Sequence, residues 1–180
     1  ISTYDGVVLA ESQLGEDGSY ERVYPAGDLA SHVVGYYSTQ YGASGIEASQ
    51  NDTLKGQRNF ASWTDVLNDA AGIGTPGNDV RLTLNSTIQQ AAQDALAGEV
   101  GACVVIDPSN GAVLAMASSP TYNAGDVEAL LGQTASGSDS GELFNRATQG
   151  LYAPGSTFKI VTLAAAIEAD PTVLNQKFLC

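Results

Sequence analysis

Ala153-Pro154-Gly155-Ser156-Thr157-Phe158-Lys159 runs directly into Ile160-Val161-Thr162-Leu163-Ala164-Ala165-Ala166-Ile167. Pro154 and Gly155 interrupt whatever precedes them, and Ser156 stands where a helix begins. The dozen residues that follow have almost no polar face, so the spacing predicts a helix buried on most sides. Ser156 and Lys159 are three apart, about one turn, which points both side chains the same way. A hydroxyl beside an amine at the positive end of a buried helix suggests serine acylation.

Each part of that chemistry has a physical basis. A serine hydroxyl is a poor nucleophile until a base lies within hydrogen-bond reach. Burial disfavours a charged lysine, and the helix dipole pushes in the same direction, so Lys159 is the expected base. The Ser156 N–H, without a partner in the first turn, is an expected oxyanion donor. The bland alternative makes Ser156 a helix N-cap and Lys159 a solvated first-turn residue. The chain has three lysines, and the residues three before Lys55 and Lys177 are Asp52 and Leu174, so the Ser-x-x-Lys pair occurs once.

Working outward, the 180 residues suffice for one ordinary domain or two small ones. A hydrophobic content of 43% with 15% charged residues reads as globular. Net charge −13, with seven Lys and Arg, excludes a nucleic-acid backbone as partner and offers anionic lipids no basic patch. No apolar run reaches membrane-spanning length and no signal-peptide pattern opens the chain. Ile1 and Leu179-Cys180 read as truncated ends. Cys103 reads as a buried free thiol, with its pairing to Cys180 left open. No zinc spacing and no cofactor motif occur, and the single His32 reads as a structural or surface residue rather than a ligand or base.

The first half shows frequent turn signals and no long helix, and reads as β-rich. Residues 1 to 10 predict a strand turning at Asp5-Gly6, 11 to 19 a loop, and Tyr20 to Pro25 a second strand. Leu29 to Tyr37 fits helix or strand, and a helical turn at Trp63 to Asn68 precedes a glycine linker ending at Gly77. The second half is more regular. Asp79 to Leu84 alternates as a strand, Ser86 and Gln89 form a capping-box pattern, and Ile88, Ala91, Ala92, Ala95 and Leu96 mark one helical face ended by Gly98. Ala102 to Ile106 and Ala112 to Ala117 flank a turn and predict a hairpin. Pro120 to Gly150 reads as a loop-rich insertion.

Ser156-Thr157-Phe158-Lys159 after Pro154-Gly155 resembles the acylation motif of penicillin-binding proteins and their β-lactamase relatives. Gly101 to Pro108 and Gly111 to Pro120 are similar to the strand pair that opens their transpeptidase domain. Arg22-Val23-Tyr24-Pro25-Ala26-Gly27 and Gly42-Ala43-Ser44-Gly45-Ile46-Glu47 resemble the dimerisation or pedestal domain of class B members. The family's opening motif is half present, in Gly6 with Val8-Leu9-Ala10. The resemblance implies an α+β fold with a β-rich pedestal domain at residues 1–78, then the start of a transpeptidase domain at 79–180, truncated after the Ser-x-x-Lys helix. It implies a D,D-transpeptidase that cross-links peptidoglycan stem peptides, with Ser156 as nucleophile, Lys159 as its base, and β-lactam antibiotics acylating the same serine. It further implies placement outside the cytoplasmic membrane through an N-terminal helix absent from this chain, and division or elongation proteins as partners.

The chain departs from the family after Ser156. No serine follows it and no Lys-Thr-Gly or Lys-Ser-Gly occurs, while Ser49-Gln50-Asn51 lies before the nucleophile. The expected consequences are an inactive piece and an uncovered apolar helix, each large side chain of which gains about 1.5–3 kcal/mol by burial. Self-association through residues 156 to 167, or local disorder there, follows as an expectation. Two other readings remain open: a serine β-lactamase or β-lactam sensor, and a non-catalytic interaction module in the first 78 residues.

Overall fold

The structure is a computed structural model that describes residues 1–56, 77–137 and 141–177. It divides into two compact units, Ile1–Gln149 and Gly150–Cys180. The helical turn expected at Trp63 to Asn68 lies outside the described residues, as does Cys180.

The first unit opens with a tight fold-back. Thr3 N–H donates to Val7 O at 2.9 Å, and Gly6 turns the chain at φ 90°, as Asp5-Gly6 predicts. Ser2 then pairs with Val8 on one side and, in parallel, with Arg81 on the other. The strand expected at Asp79 to Leu84 is therefore a run of main-chain bonds to the N-terminus rather than a full strand. Ser2 N–H reaches Val80 O at 3.0 Å, Leu82 N–H reaches Ser2 O at 2.8 Å, and Tyr4 N–H reaches Leu84 O at 2.8 Å.

Residues 11 to 19, expected as a loop, instead supply a strand. β1 (Glu11–Leu14) pairs antiparallel with β2 (Tyr20–Val23), matching Glu11 to Val23 and Leu14 to Tyr20. The cause lies in the turn, not in hydrophobic alternation, because both faces are largely exposed. Gly15 N–H donates to Ser19 O at 2.7 Å and Gly18 takes φ 81°, the geometry of a three-residue hairpin loop. Asp17 accepts from the Ser19 hydroxyl at 2.7 Å and its N–H at 3.0 Å, which holds its carboxyl below the usual range.

The ambiguous stretch from Leu29 resolves into α1 (Ser31–Val34) followed by β3 (Tyr37–Ser38), which pairs with β4 (Gly42–Ala43). α2 (Gly45–Ser49) and α3 (Asn51–Leu54) follow. Among the described residues, then, the first half carries short hairpins and single helical turns rather than extended sheet. Gly35 and Gly45 allow α1 and α2 to meet. Gly35 has φ 77°, and a Cβ there would lie 2.1 Å from Ser44 O. At Gly45, φ 57°, a Cβ would lie 2.6 Å from Val33 O. This approach brings Glu47, 4% exposed, to Arg22, whose Nε donates to Glu47 Oε1 at 2.8 Å.

α4 (Ser86–Ala95) is capped by Asn85, whose side chain accepts from Ile88 N–H at 3.1 Å. The capping box expected from Ser86 and Gln89 is thus displaced by one residue. Ser86 lies inside the helix, where its N–H and hydroxyl both donate to Asp5. Gln89 turns to the sheet instead. Ala92 packs with Ala115 and Ala117 and the partly buried Ile88, Leu96, Cys103 and Val105, so three residues of the expected face cover the hairpin while Ala91 and Ala95 are exposed. That hairpin, β5 (Gly101–Ile106) with β6 (Val113–Ser119), matches expectation apart from a bulge at Val105/Ile106.

Residues 120–137 and 141–150 are more ordered than their composition predicts. A 3-10 turn (Ala124–Asp126) leads into α5 (Val127–Ala135), and α6 (Arg146–Gln149) follows. Tyr122, Ala124 and Val127 form a core with Tyr24, Tyr36, Leu130, Leu131 and Leu143, and this tertiary burial orders a weakly patterned sequence. The remaining core joins Ile1, Leu9, Ala10, Ala30, Val34 and Leu84. His32, 8% exposed, sits at the seam. Its Nε2 lies 2.7 Å from Glu142 O, its ring meets Tyr122 edge-on at 5.1 Å, and its carbonyl accepts from Asn145 Nδ2 at 3.1 Å.

Candidate active site

In the second unit, Pro154 at φ −67° leads into Gly155 at φ 53°, and a 3-10 turn (Gly155–Phe158) carries Ser156. α7 (Lys159–Ala169) continues without a break, with Lys159 as its first residue. Three residues make about one turn at this junction, so positions 156 and 159 fall on the same side. The proline and the left-handed glycine set this entry, and the apolar run after Lys159 sustains the helix.

Ser156 is not a cap. Neither the 3-10 turn nor α7 has a side-chain N-cap bond, and Ser156 lies inside the turn. The turn is closed instead by Thr157, whose N–H and hydroxyl both donate to Pro154 O. Among the described residues, neither the Ser156 hydroxyl nor the Lys159 ammonium hydrogen-bonds to another group. The Ser156 N–H occupies the first turn, where no helical carbonyl precedes it to accept. A hydroxyl, an amine and a main-chain donor therefore share one solvent-exposed turn without a protein partner among the described residues.

Burial is where the expectation fails. No residue of α7 is buried: Ile160 is 75% exposed, Val161 54% and Leu163 53%, and Lys159 is exposed as well. Within its unit the helix folds against the 3-10 turn Pro171–Asn175, and this turn is too short to enclose it. Asp170 ends the helix and caps that turn, accepting from Thr172 N–H at 2.9 Å and its hydroxyl at 2.7 Å. The desolvated setting that the apolar sequence implies for Lys159 is thus not supplied by this unit.

No cluster of potential metal ligands occurs among the described residues. No described helix is long and apolar enough to cross a membrane.

Residues 1–80 match the family described as "Penicillin binding protein A dimerisation domain", and residues 101–180 match "Penicillin binding protein transpeptidase domain". The chain belongs to the penicillin-binding proteins. Its fold is the expected α+β arrangement of a dimerisation domain followed by the start of a transpeptidase domain.

Named relatives agree. This penicillin-binding protein chain is 34% identical to peptidoglycan D,D-transpeptidase PbpA of Mycobacterium tuberculosis over 97% of its own length and 38% of that protein's. To MrdA of Escherichia coli K12 it is 33% identical, covering 88% of this chain and 30% of the relative. Among solved structures, a D,D-transpeptidase domain from Eggerthella lenta is 62% identical with a TM-score of 0.80, over 94% of this chain and 36% of that one. Penicillin-binding protein A from M. tuberculosis in its imipenem acyl-enzyme form is 32% identical with a TM-score of 0.79, over 94% and 42%. The chain spans less than half the length of these relatives.

Proposed function

We propose that this chain carries the nucleophile half of a class B serine D,D-transpeptidase. Residues 1–78 would form the non-catalytic pedestal domain and residues 79–180 the start of the catalytic domain. One observation carries the reading. Ser156 lies in the 3-10 turn and Lys159 follows one turn later as the first residue of α7, neither with a capping bond, in a chain whose relatives include penicillin G and imipenem acyl-enzymes.

In the proposed reaction Ser156 Oγ attacks the penultimate D-Ala carbonyl of a peptidoglycan stem peptide while the Lys159 amine takes its proton. The Ser156 N–H supplies one donor to the developing oxyanion. The terminal C–N bond breaks and D-Ala leaves with a proton. An amine of a second stem peptide then attacks the ester and releases Ser156. A β-lactam enters by the same attack, its ring amide opening onto Ser156.

Lys159 acts as a base only when desolvated. In this reading, the polypeptide beyond these residues supplies that cover together with the remaining oxyanion and carboxylate-binding groups. The same surface would drive self-association where cover is lacking. Placement on the outer face of the cytoplasmic membrane, and partners in division or elongation, belong to this proposal through the family's cell-wall role.

The test is intact mass after incubation with benzylpenicillin, on the full-length protein containing this chain and on its Ser156→Ala variant. A single covalent adduct lost in the variant is expected. An adduct that persists in Ser156→Ala, or no adduct on the full-length protein, refutes the assignment. A β-lactamase would instead release the adduct rapidly.

A further inference from the structure

The hairpin β1–β2 stands out from its unit as an arm. Residues 12 to 14 and 16 to 21 are all exposed. Among the described residues no third strand pairs with it, so both outer edges keep free main-chain groups. Alternation from the Gly15 N–H···O Ser19 bond makes Leu14 and Tyr20 a non-hydrogen-bonded pair. Their N–H and C=O groups therefore point outward. β2 enters the body at Arg22 and Val23, whereas β1 stays exposed from Ser12 to Leu14, so the β1 edge is the accessible one.

The two faces of the arm differ. Leu14, 64% exposed, lies opposite Tyr20, 74% exposed, and forms an apolar step in solvent. The other face presents Glu11, Gln13 and Glu21, and the turn adds Glu16 and Asp17. The one base of the hairpin, Arg22, is held by Glu47 at 2.8 Å. A second copy brought edge to edge would set carboxylates against carboxylates, which is destabilising, and the whole chain carries −13. The same pattern favours an oppositely charged strand.

We propose that the outer edge of β1 is a docking site for an extended basic segment of another polypeptide, added as a third strand. Main-chain bonds to Ser12 and Leu14 hold the segment in register. Because side chains alternate, its apolar residues lie on the Leu14–Tyr20 face and its lysines or arginines on the Glu11–Glu21 face. The partner is thus read as alternating basic and β-branched residues.

Fluorescence anisotropy tests this with two labelled, end-capped peptides of equal charge, one alternating Lys with Val and one alternating Lys with Pro. The Val peptide is expected to bind the chain at least about tenfold more tightly, since proline cannot donate to the edge. Leu14→Ser with Tyr20→Ser, both exposed positions, is expected to abolish most of that difference, and Glu21→Lys independently to weaken the Val peptide. Equal binding of the two peptides, a difference untouched by these substitutions, or no binding of the Val peptide overturns the proposal. So does a concentration-dependent dimer that the Leu14/Tyr20 variant loses, which would make the occupant a second copy.

Discussion

The side-chain amide of Gln89 pairs with the main chain of Met116 in both directions. Nε2 donates to Met116 O at 3.1 Å, and Oε1 accepts from Met116 N at 2.8 Å. Gln89 is 0% exposed, and Nε2 also reaches Gln93 Oε1 at 3.0 Å. A helix thereby completes the hydrogen bonding of β6 as a neighbouring strand would, in a sheet of two strands.

Gln89→Leu therefore leaves the partly buried N–H and C=O of Met116 without a protein partner. The expected loss is about 2 kcal/mol, the lower end for two unsatisfied main-chain groups at about 1–3 kcal/mol each, because both are only partly buried. The urea midpoint of the chain should fall accordingly. A midpoint equal to that of the parent would show that water replaces the amide.

Glu47→Ala leaves Arg22 without its carboxylate, with only the Nη1 bond to Ser12 Oγ at 3.2 Å remaining. The Arg22 side chain keeps 18% exposure and Glu47 keeps 5%, and Arg22 Nη2 has no acceptor even in the intact pair. The expected destabilisation is about 3 kcal/mol, the lower end for breaking a buried pair. Combining Arg22→Met with Glu47→Leu should recover most of it. Thermal unfolding of the three variants tests the order, and a double variant less stable than Glu47→Ala would contradict it.

His32 gives a pH prediction. Burial pushes its pKa below the usual value, partly opposed by the Glu142 carbonyl and reinforced by Arg146. The folded state then holds the neutral ring while the unfolded chain takes a proton near ~6.5. Stability from this residue is complete above that pH and falls as pH drops toward the lower folded value. His32→Gln should flatten this part of the stability–pH curve, while an unchanged slope would assign the pH dependence to other groups.

Gly35→Ala should cost about 2 kcal/mol or more, from the left-handed backbone together with the contact at Ser44 O. Gly18→Ala, with nothing within 4 Å of the added carbon, bears only the backbone term. Comparing their melting temperatures separates crowding from strain. Equal losses would remove the α1–α2 approach as the reason for Gly35.

In the full-length protein, Lys159→Ala should slow acylation by penicillin about 10²–10⁴-fold, the usual worth of a positioned base. Stopped-flow measurement with a chromogenic cephalosporin reads the rate. A variant acylated as fast as the parent would remove Lys159 from the proton transfer.

Much of this was legible in the chain alone. The β5–β6 hairpin, the apolar face of α4 and the Pro154-Gly155-Ser156 entry all follow from local signals that do not need distant partners. The one-turn spacing of Ser156 and Lys159 is likewise a property of the helix itself. Tertiary structure decided the rest. β1 exists because a turn closes it, although neither face shows an apolar alternation. α5 forms where Tyr122, Leu130 and Leu143 converge from separate segments. Asn85 displaced Ser86 as the cap because Asp5, far away in sequence, engages Ser86. Burial of α7 was the least predictable, because an apolar composition states a demand for cover and only the packing partner supplies it.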